Sequence, residues 1–286
     1  MIKCLKNSSA VTAAISSFVF TLIPEKFFEK YKIISKNHFE FLKISDYIDV
    51  QIINIIFARI SLLVCIFIVV SLIYLIWLKT RKSITIKGNN YSIVIEYGDI
   101  LRKKNCKRVI NFDECFTTKL GNKISDINPK SICGQYLSLH PDLDIQQLIE
   151  IYGVKPLRSK SRYQRKTRYA SGTIVPNDDD LLMAFVPLDA KGKGRFFSRD
   201  EYIESLNFLW KELENYYAEK DVCIPILGAG TTVIDSGTGS SISQQDLLDI
   251  IIMSYKLSSH KIKSPYKLYI ICKKNSGFSI NNIDGV

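Results

Sequence analysis

Nineteen consecutive residues without a charge, Ile60 to Leu78 (ISLLVCIFIVVSLIYLIWL), constrain this chain more than any other stretch. As a helix the run rises about 28 Å, against about 30 Å for the hydrocarbon core of a bilayer. A helix in a soluble core keeps a polar stripe, and this run has none on any face. The stretch is therefore expected to span a membrane. Arg59 precedes it and is expected to snorkel to the interface rather than act as a buried charge. Tyr74 and Trp77 fall at the other end, where interfacial aromatic belts sit, and Lys79, Arg81 and Lys82 follow at once.

A second apolar stretch, AVTAAISSFVFTLI, runs from Ala10 to Ile23. It is short for a span, and Lys3 and Lys6 before it suit a signal peptide. No small-residue cleavage site follows; the chain continues PEKFFEKYK, which favours a short first span over a cleaved signal. The expected organisation is a membrane region over 1–82, with spans at about 8–24 and 60–78 forming a two-helix hairpin, followed by a domain over 83–286. The connection from Glu25 to Gln51 carries five Lys and five acidic residues, whereas both outer flanks are purely basic. The positive-inside rule then places both ends, and the whole 83–286 domain, in the cytoplasm.

Charge adds a second constraint. The formal net charge is +11, and residues beyond the second span carry +8 of it, 31 basic against 23 acidic. That balance favours an anionic partner, either a lipid headgroup or a phosphorylated ligand. Seven cysteines are scattered with no C-x-x-C, which indicates neither zinc nor a disulfide framework and fits a reducing cytosol.

After Ser83 strand and helix patterns alternate. SITIKG and YSIVIEYGD read as a hairpin about Asn89-Asn90, and KRVINF (107–112), LLMAFVPL (181–188), VCIPIL (222–227) and YKLYIIC (266–272) as short buried strands. Helices are expected over 142–153, over 200–219 with Tyr202, Leu206, Leu209, Trp210, Leu213 and Tyr217 on one face, and over 243–257 with Ser243 as N-cap. The alternation implies a layered α/β domain with a mostly parallel or mixed sheet. The segment RSKSRYQRKTRY (158–169) has the basic and aromatic interleaving of a nucleic-acid reader, but without periodicity it reads as a solvated, flexible surface loop.

Two strand ends are unusual. Gly98-Asp99-Ile100 closes one, and Gly228-Ala229-Gly230 followed by Thr231-Thr232 closes another. Open α/β sheets bind ligands at the carboxyl ends of their strands, and successive N–H groups in a glycine-rich turn make a concave anion site. A tight turn alone would also explain the glycines. There is no G-x-x-x-x-G-K-[ST] and no G-x-G-x-x-G, so a P-loop and a dinucleotide fingerprint are both excluded.

The order of these pieces resembles the macro domain, the α/β module that binds ADP-ribose. A strand ends in Gly-Asp-Ile, another runs into an asparagine in VIN (109–111), a Gly-Thr segment precedes a buried strand in YASGTIVPNDDDLLMAFVPL, and a later strand ends in IPILGAGTTVI. The resemblance covers about 83–275 and implies a three-layer α/β/α fold with a mixed sheet. It implies that Asp99 takes the adenine amino group, that Ile100 makes the neighbouring backbone contact, that Asn111 lies by the distal ribose, and that Gly228, Ala229, Gly230, Thr231 and Thr232 cradle the diphosphate. Hydrolytic members follow the asparagine with a second one and a glycine triplet; here the chain reads NFDECFTTKLGNKISD, with Glu114 where the second asparagine would be. Binding without turnover is therefore implied, with no catalytic residue, metal or cofactor. Asp113 and Glu114 would have to serve as acid or base in a hydrolase, and paired loop acids are more often solvated. His140 would be the most plausible catalytic histidine by position.

Two spans before a macro-like domain further resemble the membrane effectors of the Thoeris anti-phage defence system. That resemblance implies an inner-membrane homo-oligomer that binds an ADP-ribose-derived signal made from NAD by a TIR-domain partner and then disables the membrane. The competing readings are a membrane-tethered ADP-ribosyl hydrolase and a scaffold that grips nucleic acid or anionic lipid through 158–169, of which nucleic acid is the less expected.

Overall fold

The computed structural model describes residues 2–31, 50–230, 232–235, 242–274 and 278–283. The chain divides into two compact units, Met1–Arg81 and Lys82–Val286.

The first unit holds helix α1 (Ile2–Leu22), one turn of helix α2 (Glu25–Phe28) and the long helix α3 (Val50–Thr80). Among the described residues α3 is the helix long and apolar enough to cross a membrane. It starts ten residues before the expected span because Val50–Ala58 is itself uncharged and mostly apolar. The apolar part of α1, Ser9–Leu22, is fourteen residues, short of the about 20 that a span needs. The two helices pack on each other, and the buried positions are small or polar: Thr12 and Ser16 on α1, Asn54 and Ala58 on α3. Each pair is spaced i, i+4 and so shares one helix face, and small residues let backbones approach. The expected connection between the spans lies mostly in 32–49, outside the described residues.

The second unit is built on a seven-stranded sheet. Its strands are β1 (Ser83–Gly88), β2 (Tyr91–Tyr97), β3 (Cys106–Asp113), β4 (Ile174–Asn177), β5 (Asp180–Val186), β7 (Asp221–Pro225) and β9 (Leu268–Cys272), in the order β1-β2-β9-β7-β3-β5-β4. The five inner strands run parallel, and the two edge strands, β1 and β4, pair antiparallel. The sheet is therefore mixed, as expected. Asn90 takes a left-handed φ of 62° in the β1–β2 turn, a conformation asparagine tolerates.

Alternation along the inner strands builds the two faces. Leu181, Met183 and Phe185 of β5 join one core, while Leu182 and Ala184 join the other. The first core is covered by α6 (Arg199–Tyr216) and α7 (Gln244–Leu257), the second by α4 (Ile132–Leu139) and α5 (Ile145–Ile151). This is the three-layer α/β/α arrangement. Ser198 and Ser243 cap α6 and α7 through their hydroxyls, each accepting an N–H three residues on. Helix α5 is shorter than the expected 142–153, because Asp144 caps it and Gly153 leaves it at φ 61°. A small parallel pair, β6 (Arg195–Phe196) with β8 (Val233–Ile234), lies outside the main sheet.

The basic segment 158–169 is mostly exposed, as its composition suggests, but several of its side chains pin it to the domain. Ser161 is buried and donates to Glu114 at 2.5 Å, Arg168 pairs with the same carboxylate at 3.1 Å, and Tyr169 packs edge-on against Phe116. Arg162 lies over the Phe197 ring, 3.8 Å from its centroid. The expected solvation of Asp113 and Glu114 is corrected: both are buried, Glu114 to 2% exposure.

Candidate ligand-binding site

A cavity of about 540 Å³ opens at the carboxyl ends of the parallel strands. Its wall takes Asn111 and Asp113 from the end of β3, Val186 and Leu188 from the end of β5 and just after it, Pro225 and part of the turn to Gly230 from the end of β7, and Ile271, Lys273 and Lys274 from the end of β9 and just after it. That volume suits a drug-sized or nucleotide-sized ligand.

The turn after β7 forms one side. Gly228 has φ 87°, where a side chain would be strained and its Cβ would stand 3.2 Å from Ile234. At Gly230 a Cβ would meet nothing within 4 Å. The turn is held from below and beyond. Tyr202 donates to the Leu227 carbonyl at 2.9 Å, and the Val233 N–H donates to Gly194 at 3.1 Å. The N–H of Ala229 donates to the Ile226 carbonyl at 3.2 Å. The Ala229 N–H thus closes the turn.

Opposite lies the loop into α4. Asn128 Oδ1 accepts the Lys130 N–H at 2.8 Å, and Ser131 Oγ accepts that of Gly134 at 3.0 Å, so the helix N-terminus is fixed at the cavity. Gly134 is required there, because a Cβ would meet the Asn128 carbonyl at 2.1 Å. Lys130, Lys273 and Lys274 line the cavity and make its rim cationic. Ile124, 66% exposed, adds an apolar patch to the rim. None of these four was singled out from the sequence. The Asn-Pro-Lys-Ser run before an apolar segment carried the helix-start signal.

The acids at the β3 end are spoken for. Asp113 Oδ1 accepts the N–H groups of Cys115 at 2.8 Å and Thr117 at 3.1 Å. Burial pushes its carboxyl above the usual range, against the pull of those bonds. Glu114 accepts from Ser161, Arg168 and, at 3.2 Å, the Leu188 N–H. Burial also raises the Cys133 thiol, which lines the cavity, so it is no activated nucleophile. Among the described residues no group of three or more His, Cys, Asp or Glu could hold a metal ion.

Of the sequence-predicted residues, Asn111, Gly228, Ala229, Gly230 and Thr232 come together on this wall. Thr231 lies outside the described residues. Asp99 and Ile100 follow β2 at the same end of the sheet but are not among the lining residues. The exposed Asp99 caps a short 3-10 turn, Oδ1 accepting the Leu101 N–H at 3.1 Å. Ile100 is buried in a cluster with Ile271, which does reach the wall. His140 caps the C-terminus of α4 and stacks on Tyr136, whose hydroxyl meets Asn177 at the amino end of β5. It is thus at the opposite end of the sheet from the cavity.

Residues 93–273 match the family described as Thoeris protein ThsA, Macro domain. The chain is 29% identical over 235 residues to the Thoeris protein ThsA of Bacillus amyloliquefaciens (strain Y2), covering 77% of this chain and 75% of that one. Among solved structures it is similar to the Oceanobacillus iheyensis macrodomain with ADP, at 12% identity and a TM-score of 0.44, over 68% of this chain and 89% of that one. The macrodomain of Thermus aquaticus DarG is matched at 13% identity and a TM-score of 0.34, over 64% of this chain and 98% of that one.

Proposed function

Because the chain belongs to the Thoeris ThsA macro-domain family, we propose that it is a membrane-anchored sensor and effector of anti-phage defence, switched by an ADP-ribose-derived nucleotide. The observation that carries this reading is the cavity with Gly230 on its wall. A backbone turn with open space at its second glycine faces a cationic rim of Lys130, Lys273 and Lys274. Backbone N–H groups and lysines together suit a diphosphate, and a charged acceptor makes such bonds strong. Asn111 stands nearby for a ribose hydroxyl. Asp99, in this reading, reaches the adenine end from outside the cavity proper. Asp99→Ala should then weaken ADP-ribose binding by about 1.5–3 kcal/mol; unchanged affinity with an intact fold would remove Asp99 from the site.

Binding is favoured over turnover because both acids after Asn111 are consumed by structural hydrogen bonds. The effector half of the reading rests on α3, on the basic flank Lys79, Arg81 and Lys82, and on α1 as a short second span. A TIR-domain enzyme that consumes NAD would supply the ligand. Ligand binding would favour one arrangement of neighbouring domains and cluster their helices in the inner membrane, with the second unit cytoplasmic. Light scattering of the detergent-solubilised full chain tests this. ADP-ribose should shift it to a larger assembly, and an unchanged mass at saturating ligand would sink the clustering step. For orientation, a cysteine placed at position 37 should label from outside intact cells and one at position 122 should not; the reverse pattern would invert the topology.

A further inference from the structure

We propose that strand β1, the open edge of the main sheet, is a docking surface for β1 of a second copy of this chain, the two strands pairing antiparallel about Thr85. The inference rests on the sensor reading above for its trigger, and names the surface through which clustering proceeds.

The two edges of the sheet are finished differently. Strands β1 and β4 are both outermost, and each pairs antiparallel with its inner neighbour. An edge strand turns the backbone N–H and C=O of every second residue away from the sheet, where another strand can take them. On β4 the Ala184 N–H donates to the Thr173 carbonyl at 2.9 Å, so by alternation the backbones of Ile174 and Pro176 face outward. Both are closed to pairing. Proline has no N–H to give, and the Ile174 N–H is met by the Glu212 carboxylate. Ile174, Val175 and Pro176 are buried besides. Strand β1 has none of these devices. The Tyr97 N–H donates to the Lys82 carbonyl at 3.1 Å, so the backbones of Ile84, Ile86 and Gly88 face β2 and those of Ser83, Thr85 and Lys87 face outward. Pairing with β2 is unbroken from Ser83 to Gly88, with no bulge to twist the edge away. Thr85 and Lys87 are exposed, and among the described residues nothing bonds their outward backbone groups. Ile84 and Ile86 are already buried in the main core, so the edge offers backbone rather than apolar surface.

The sequence of the edge suits a second copy of itself. A two-fold pairing centred on Thr85 sets Thr85 opposite Thr85, a favourable cross-strand pair, and sets Lys87 opposite Ser83 of the second copy. Lysine then meets no lysine. Centring on Lys87 would oppose it to itself, and centring on Ser83 would set Lys87 against Lys79 of α3. One strand pair buries far less than the about 1,200 Å² of a stable interface. The contact is therefore weak alone and depends on the local concentration that anchoring in one membrane supplies. Strand β1 begins three residues after α3 ends, so every anchored copy carries this edge next in sequence to its membrane helix. A weak, self-complementary contact is what a ligand-switched cluster requires, because a constitutive one would leave no equilibrium to shift.

Cross-linking of the full chain in liposomes tests the surface, with a short bis-methanethiosulfonate in a Cys4→Ala, Cys65→Ala background. Thr85→Cys should give covalent dimers, because residues paired in this way stand about 5.5 Å apart at Cα. Lys87→Cys alone should react about tenfold more slowly, its two copies being separated by roughly 13 Å of strand rise. Mixing Ser83→Cys chains with Lys87→Cys chains should restore dimers. Light scattering and calorimetry of the detergent-solubilised full chain with ADP-ribose test the use of the surface. Thr85→Pro removes the central N–H, as Pro176 does on the other edge, and Thr85→Lys sets like charges opposite each other. Both variants should bind ADP-ribose within about threefold of wild type yet need about tenfold more protein to assemble. Thr85→Lys stands in if the proline variant misfolds. Dimers from Lys87→Cys as fast as from Thr85→Cys, or assembly of the folded Thr85 variants as in wild type, would overturn the edge and leave the sensor reading standing. If wild type binds no ADP-ribose, or binds without assembling, the sensor reading fails at that step and the cross-links alone decide the edge.

Discussion

Neighbouring strands β3 and β7 end at the same cavity in opposite ways. After β3 the turn is dense with side chains, all engaged: Asp113 caps its own turn, and Glu114 ties together Ser161, Arg168 and the Leu188 N–H. After β7 the turn is nearly bare, with a left-handed Gly228 and open space at Gly230. The first turn holds the walls in place and the second leaves room. A cavity needs both, and acidic residues beside a cavity are therefore no guarantee of chemistry in it. The difference yields separable expectations, because damage at β3 should be felt in stability alone and damage at β7 always in binding.

The largest stability effect should come from Glu114→Ala. Removing one partner of a buried ion pair costs about 3–5 kcal/mol. Arg168 keeps 28% side-chain exposure, so a discounted loss of about 2–4 kcal/mol is expected. That should lower the Tm by on the order of 10 °C, with ADP-ribose still bound at low temperature. A melting point within a degree of wild type would show that the node is decorative.

Gly228→Ala comes next. The left-handed backbone costs a non-glycine residue about 1–2 kcal/mol, and the Cβ would press on Ile234. Thermal melts should show that cost, and calorimetry should show weaker ADP-ribose binding as the turn re-aims. Wild-type values in both would mean that the turn tolerates a side chain and its glycine is incidental.

Asp113→Asn should have the smallest effect, and its sign depends on pH. Burial raises the Asp113 carboxyl above its ordinary 3.8, so the folded chain holds this proton more tightly than the unfolded one. Its contribution favours the fold below the unfolded value and is lost as pH rises through the folded one. Asparagine keeps the Oδ1 acceptor and is always neutral. The variant's melting point should therefore gain on wild type as pH rises above 3.8, until the folded carboxyl has ionised. A constant offset across that range would contradict the burial argument.

The sequence made the sheet and most helices legible because their signals are local. The continuous apolar run LLMAFVPL, the Asn89-Asn90 turn and the Ser243 cap each fall within a few residues, and each matches an observed element. The glycines of the β7 turn were legible for the same reason. What was missed is long-range. Glu114 meets Ser161 and Arg168 across 47 and 54 residues, so nothing local in RSKSRYQRKTRY shows that it is pinned. Lys130 is far in sequence from the adjacent Lys273 and Lys274, and joins them on one rim only through the fold. Asp99 was placed by resemblance alone, and its position outside the cavity reflects a side chain that first serves its own 3-10 turn.

The claim at the centre of this account is that ligand lies against the bare backbone of the β7 turn. Parallel calorimetric titrations of wild type and Gly230→Glu with ADP-ribose test it most directly, on the detergent-solubilised full chain with melting points recorded for both. Because a Cβ at Gly230 would meet nothing within 4 Å, the variant should fold and melt as wild type does. Its added bulk and negative charge should nonetheless abolish the saturable binding that wild type shows. Equal affinity in the two proteins, at equal melting points, would contradict the account and leave the glycines as nothing more than a turn.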